Sequence, residues 1–138
     1  MINKKQISIE ILNVVANKNC SILTELLNDW TKGLYVILRL IDSSKEEVIA
    51  GDIAYQLKIS TARVAVALRT LEDKKWIIRH KSKIDARKTI VELTELGKSV
   101  LRERMRYLTE LVEKFLGKLT EEEISQLLNI INKTMQGE

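Results

Sequence analysis

"ISTARVAVALRTLEDKKWIIRHKSKIDARKTIVELTELG", residues 59–97, changes its hydrophobic period partway along. Up to Leu71 the apolar positions Val64, Leu68 and Leu71 fall four and three apart, the spacing of one buried helix face. Ser60 precedes them and is a good N-cap, so a helix is predicted from Thr61 to about Lys74. After Trp76 that period is lost. "WIIRHKS" and "KTIVEL" are rich in β-branched residues and read as two strands, with "KIDAR" as the loop of a hairpin. The loop has no glycine, which predicts something wider than a two-residue turn. Thr94 then caps a long helix from Glu95.

Working outward, "GDIAYQL" (51–57) is a short helix with Ile53, Ala54 and Leu57 on one face, and "KIS" (58–60) is the turn after it. Helix, turn, helix and hairpin therefore follow in order. Upstream, a helix is expected from Thr31 as N-cap through "LYVILRLI" to about Ile41, apolar nearly all round and so in the core. Lys4 to Asn28 is amphipathic, with Ile7, Ile11, Leu12 and Val15 in its apolar set and "NKN" (17–19) as a place for a break. Downstream, the long helix carries Leu96, Val100, Leu101, Met105, Leu108, Leu111, Val112, Phe115 and Leu116 as its stripe. In "LTEEEI", Thr120 and Glu123 are spaced for a capping box. The last helix presents Ile124, Leu127, Leu128, Ile131 and Met135. The fold class is mainly α with a small β-hairpin wing.

At 138 residues, 45% apolar and 30% charged, the chain can bury a core as one domain with helical arms. One cysteine excludes an intramolecular disulfide, and no apolar run is long enough to span a bilayer. The N-terminus reads as an amphipathic helix and not a signal peptide, and the expected place is the cytoplasm. Charge is unevenly spread. Lys58 to Lys88 holds ten Lys or Arg against three acids, a local +7, so with +4 overall the remaining 107 residues carry −3. A basic centre between acidic flanks suits a polyanion, although basic residues also simply solvate a surface.

"DIA" opening the short helix, "IS" at the turn, "LEDKKWIIR" leading into the hairpin, "DAR" at its tip and "LTELG" at its exit together resemble the winged helix-turn-helix of MarR-type transcription regulators. The resemblance covers about Leu34 to Gly97 by motif and the whole chain by helix order. It implies a homodimer on double-stranded operator DNA, a recognition helix in the major groove, a wing in the minor groove, and a possible small-molecule effector. Three departures stand out. Lys75 occupies a position that usually holds Gly, Ile49 one that usually holds a Thr or Ser cap, and the recognition helix is poor in polar side chains.

On this reading 34–97 is the DNA-binding domain, and 1–33 with 98–138 is the dimerisation region. The expected dimer contacts are Ile7, Ile11, Leu12, Leu116, Ile124, Leu127, Leu128 and Ile131, because long apolar helices beyond a self-sufficient core need a partner and two-fold symmetry supplies one. For DNA the candidates are Ser60, Thr61, Ala62, Arg63, Ala65, Val66 and Arg69 on the helix, and Arg79, Lys81, Lys83, Asp85, Arg87 and Lys88 on the wing. The helix offers no Asn or Gln for adenine, only Arg63 and Arg69 for charge, and small apolar groups for thymine methyls. Val66 can equally be packing. Affinity is therefore expected to lean on phosphates, with Lys58 and Lys74 as further contacts, and on Arg87 in a narrow minor groove. Asp85 either holds Arg87 or an arginine of the recognition helix, or is a plain turn residue.

Trp30, Tyr35 and Leu38 are candidates to line an effector pocket, or are simply core. One His (His80) and one Cys (Cys20) give little support to metal sensing, and no cofactor is expected. Cys20 lies roughly where peroxide-sensing relatives carry a reactive cysteine, and a buried apolar role is the plainer reading. In "RERMR" (102–106) the arginines spread around the helix, which suits solvated surface or dimer salt bridges. Nothing groups a nucleophile with a base, and no glycine phosphate loop is present, so an enzyme is not expected. The rival function is a winged-helix module that contacts protein and not DNA.

Overall fold

The computed structural model describes residues 1–17, 24, 28 and 33–136. Helix α1 spans Lys4–Asn17, α2 Leu34–Ser43, α3 Ala50–Leu57 and α4 Thr61–Asp73. Strands β1 (Ile77–Lys81) and β2 (Thr89–Leu93) follow, then α5 (Glu95–Leu116) and α6 (Glu121–Met135). The strands form an antiparallel pair in register from Ile77↔Leu93 to Lys81↔Thr89. This is the winged helix-turn-helix expected from the change of period.

Two compact units divide the chain, Met1–Arg102 and Glu103–Glu138, with the division inside α5. The core of the first unit is built from the positions the spacing picked out. Val64, Leu68 and Leu71 of α4 are fully buried, and Ile53 of α3, Ile77 of β1 and Ile90 and Val91 of β2 join them. Val36, Ile37, Leu38 and Ile41 of α2 close the other side. Helix α3 packs on α4 and β2, α4 on β1, and α2 on β2. Val48, between α2 and α3, bridges to Val91, whose N–H donates to its carbonyl at 2.8 Å. The segment before α3 is thereby tied to the base of the wing.

Local capping accounts for most of the boundaries. Ser60 Oγ accepts from the Arg63 N–H at 3.2 Å, and Thr94 Oγ1 from the Gly97 N–H at 3.0 Å. Thr120 and Glu123 form the reciprocal box at the start of α6. At α3 the N-cap is Ile49, which has no side chain to offer; Asp52 compensates by accepting the Ile49 N–H at 3.0 Å. Two helix ends use left-handed lysines. Lys75 has φ 61°, with Lys75 N–H bonded to Glu72 O and Trp76 N–H to Leu71 O. Lys58 has φ 52° and closes α3 by the same pattern, through Tyr55 O and Ala54 O.

Two expectations need correcting. Helix α2 starts at Leu34 with Gly33 at the N-cap position (φ 82°), later than a Thr31 cap would place it. The positive φ that brings the chain into α2 is one that glycine adopts freely. Thr31 itself, with Cys20, Trp30 and the 17–19 break, lies outside the described residues apart from the helical backbone of Asn17. Leu96 is not part of the buried stripe of α5, being 51% exposed, while Leu101 and Leu108 are buried. Gly97 takes the inward position instead, because a Cβ there would overlap the Trp76 carbonyl oxygen, and the residue before it points about 100° away.

Candidate nucleic-acid interface

Burial of Val64, Leu68 and Leu71 fixes what α4 turns outward. Thr61, Ala62, Arg63, Ala65, Val66 and Arg69 are all exposed, as is the cap residue Ser60. Val66 is 63% exposed, so the packing alternative for it does not hold. Ala67 lies on the half-buried side. The outward face of α4 is thus short side chains with arginines at Arg63 and Arg69.

The wing loop runs from Ser82 to Lys88, closed by Ser82 N–H to Lys88 O at 2.9 Å and Lys88 N–H to Asp85 O at 3.0 Å. Its width agrees with the absence of glycine. Lys81, Lys83, Arg87 and Lys88 are exposed. Asp85 accepts from Arg87 three times: from its backbone N–H and Nε on Oδ1, both at 3.1 Å, and from a terminal guanidinium nitrogen on Oδ2 at 3.2 Å. The turn bond and the arginine clamp, weighed as alternatives, coexist. The Arg87 side chain beside Asp85 holds its carboxyl below the usual carboxylate range, and the Arg87 N–H adds to this.

Not every basic residue faces outward unengaged. Arg79 Nε lies 3.0 Å from Glu72 Oε2, joining β1 to the end of α4, so Arg79 is a link between helix and wing before it is a phosphate ligand. Lys74 Nζ sits 5.1 Å from the centre of the Trp76 ring. His80 places Nδ1 at 3.0 Å from Lys81 O and Nε2 at 2.9 Å from Glu92 Oε2. The Lys81 carbonyl first, and Glu92 second, raise its pKa.

Two residues absent from the sequence expectations complete the wing. Ser82 is buried at 5% exposure, and its hydroxyl donates to Glu47 Oε2 at 2.6 Å. Ser82 Oγ in turn accepts the N–H groups of Ile84 and Asp85, each at 3.1 Å. Glu47 comes from the connection between α2 and α3, and no local signal links residues so far apart in the chain.

The effector residues are only partly located. Leu38 has no exposed surface and packs in the core, in keeping with the second of the two readings given for it. Tyr35 lies against Trp76, ring centres 6.1 Å apart. An open cleft of about 440 Å³ lies elsewhere, among Asp42, Lys45, Glu47, Val91, Glu92 and Lys98. Among the described residues no group of three or more His, Cys, Asp or Glu is placed to hold a metal ion, and no helix is long and apolar enough to cross a membrane.

Outside the winged domain, α1 exposes Ile7 (41%), Ile11 (57%) and Leu12 (67%), and α6 exposes Leu128 (59%) and Ile131 (44%). Leu116, Ile124 and Leu127 are half-buried. In "RERMR", Arg106 pairs with Glu103 and Glu110 along its own helix, and Arg104 stacks over Tyr107.

Comparison with known proteins gives a consistent picture. The family model described as Transcriptional regulator SarA/Rot matches residues 11–104. The HTH-type transcriptional regulator YpoP of Bacillus subtilis is 26% identical over 112 residues, 80% of this chain and 79% of that protein. Among solved structures, YusO of Bacillus subtilis superposes with a TM-score of 0.77 at 21% identity, covering 99% of this chain and 100% of the other. FabT of Streptococcus pneumoniae, solved in complex with DNA, superposes at 0.71 and 21% identity, over 97% and 96% of the two chains.

Proposed function

The chain belongs to the SarA/Rot family of transcriptional regulators, and from that premise we propose that it binds double-stranded operator DNA as a homodimer and acts as a repressor. In this reading 34–97 is the DNA-binding domain, and 1–33 with 98–138 is the dimerisation region. Helix α4 enters the major groove, the wing lies along the neighbouring minor groove, and the two half-sites of a pseudo-palindrome are about one helical turn apart. A small-molecule effector adjusts the two heads, as the MarR-type resemblance implies.

One observation carries the reading. The exposed face of α4 and the basic wing loop belong to one compact unit and are joined by the Arg79–Glu72 ion pair. Helix face and loop can therefore meet a duplex together. The exposed apolar faces of α1 and α6 support the homodimer, since such patches seek cover. Glu92, Glu72 and Asp85 lie among the basic groups, but each is held by a cation or by His80.

Selection of bound sequences from a random duplex pool tests this. An inverted repeat is expected. Lack of enrichment, together with no retention on heparin at low salt, would favour the protein-contact module instead.

A further inference from the structure

Ile84 is 87% exposed, between Lys83 and Asp85. A solitary exposed isoleucine is ordinary. Its mounting is not. The Ile84 N–H is bonded to the hydroxyl of Ser82, which is itself buried and tied to Glu47 across 35 residues of chain. The next N–H, of Asp85, ends on the same hydroxyl, and the loop is closed behind it at Lys88. The backbone that presents Ile84 is therefore fixed from both sides.

Holding an apolar side chain out in water gains the free protein nothing. It gains on binding, where a group already in place loses little further freedom when buried. Three residues on in the same loop is Arg87, 91% exposed and clamped by Asp85. A surface that suits both must be electronegative where the guanidinium goes and apolar where the isoleucine goes. The DNA minor groove has that character, with a negative floor between walls of deoxyribose C–H.

We propose that Ile84 is a DNA-contacting residue that packs against the deoxyribose wall of the minor groove that Arg87 enters, and that Ser82 and Glu47 are positioning residues for it. The proposal rests on the DNA-binding reading above. It adds a part of the affinity that counterion release does not govern, because an apolar contact neutralises no phosphate.

The test uses the full chain and a duplex it has itself enriched from a random pool, with affinity measured by anisotropy over a series of salt concentrations. Ile84→Ser is expected to weaken binding roughly tenfold at every salt concentration, with an unchanged slope of log K against log salt. Ile84→Leu restores most of the loss. The thermal midpoint should stay put in both, since the side chain is almost wholly exposed. Glu47→Ala is expected to reproduce the salt-independent loss. Glu47→Gln, which can still accept from the Ser82 hydroxyl, is expected to restore it, both being compared at temperatures where each variant is folded. Wild-type affinity in Ile84→Ser, or a loss that appears as a changed slope, overturns the proposal. If the wild-type chain enriches no duplex, the DNA-binding reading itself falls and takes this contact with it, which is a different result from normal enrichment with an indifferent Ile84.

Discussion

Asp85 clamps Arg87 at two points, Oδ1 to Nε at 3.1 Å and Oδ2 to a terminal nitrogen at 3.2 Å, at the tip of a loop otherwise rich in positive charge. Counting charge alone, Asp85→Ala should tighten binding to any DNA. If the clamp aims Arg87, the same change should cost discrimination. The expected outcome is a preference for the selected duplex over a random one reduced about tenfold, with little change on the random duplex. Arg87→Ala should lower the same ratio, and the double variant should go no further. Equal tightening on both duplexes would remove the aiming role. Because its pKa is depressed, Asp85 supports the fold above the ordinary carboxylate value of 3.8, and this support is lost only as pH falls through the still lower folded value. The clamp should therefore not vary near neutrality.

pH dependence in the neutral range should instead trace to His80. Its Nδ1 lies 3.0 Å from Lys81 O, and its Nε2 lies 2.9 Å from Glu92 Oε2 as an ion-pair contact without hydrogen-bond alignment, so both neighbours favour the protonated ring. The Lys81 carbonyl, then Glu92, raise its pKa above 6.5, and the Glu47 charge adds to this. A raised histidine stabilises the folded state fully below 6.5, and that contribution is lost as pH rises through the folded value. NMR titration of this single histidine should give a midpoint above 6.5. Glu92→Gln should lower the midpoint without bringing it down to 6.5, because the carbonyl is the larger cause. A wild-type midpoint at or below 6.5 would contradict the geometry.

Gly97 is needed for space. A Cβ at that position would overlap the Trp76 carbonyl oxygen and stand 2.9 Å from the carbonyl carbon. The obstacle is backbone, and the same carbonyl accepts the Thr94 N–H at 3.0 Å, so neither side can yield freely. Gly97→Ala should cost about 3 kcal/mol, read as a lower urea midpoint with an unchanged m-value. An unaltered midpoint would show that the β1–α5 junction opens more easily than its contacts suggest.

Lys75 presents the opposite case, a side chain where glycine fits better. At φ 61° its Cβ crowds the backbone, while its N–H and that of Trp76 close α4. Lys75→Gly should raise stability by about 0.5–1 kcal/mol, the relief of strain being partly offset by the freer unfolded chain. Lys75→Ala should give no such gain. A destabilised glycine variant would mean that the lysine makes a compensating contact.

What could be read from the sequence was local. Ser60, Thr94 and Thr120 announce helix starts because a cap and its target lie within one turn. Val64, Leu68 and Leu71 declare a buried face because helical spacing is periodic. β-Branched residues on both sides of "KIDAR" declare the hairpin. The remainder depends on contacts between distant segments. Nothing near Ser82 points to Glu47, and nothing near Arg79 says that Glu72 will hold it. Lys58 in a left-handed conformation has no glycine to signal it. Leu96 fits the stripe by spacing alone, and only the approach of Trp76 to Gly97 turns it outward.

The division of the basic residues by role can be measured as a salt slope. If about six phosphates are neutralised per dimer, log K should fall against log salt with a slope of roughly −5. Lys83 and Lys88 project from the exposed loop, so removing one lysine per protomer removes two contacts per dimer and should flatten the slope by roughly 2. Arg79 should behave differently although it lies in the same basic run. Its guanidinium already faces Glu72 at 3.0 Å, so little counterion is released when DNA approaches. Arg79→Ala should leave the slope nearly intact and weaken binding about equally at all salt concentrations, because the tie between α4 and β1 is lost. Arg79→Ala flattening the slope as much as Lys83→Ala would mean that the ion pair opens on DNA and that Arg79 is a phosphate ligand after all.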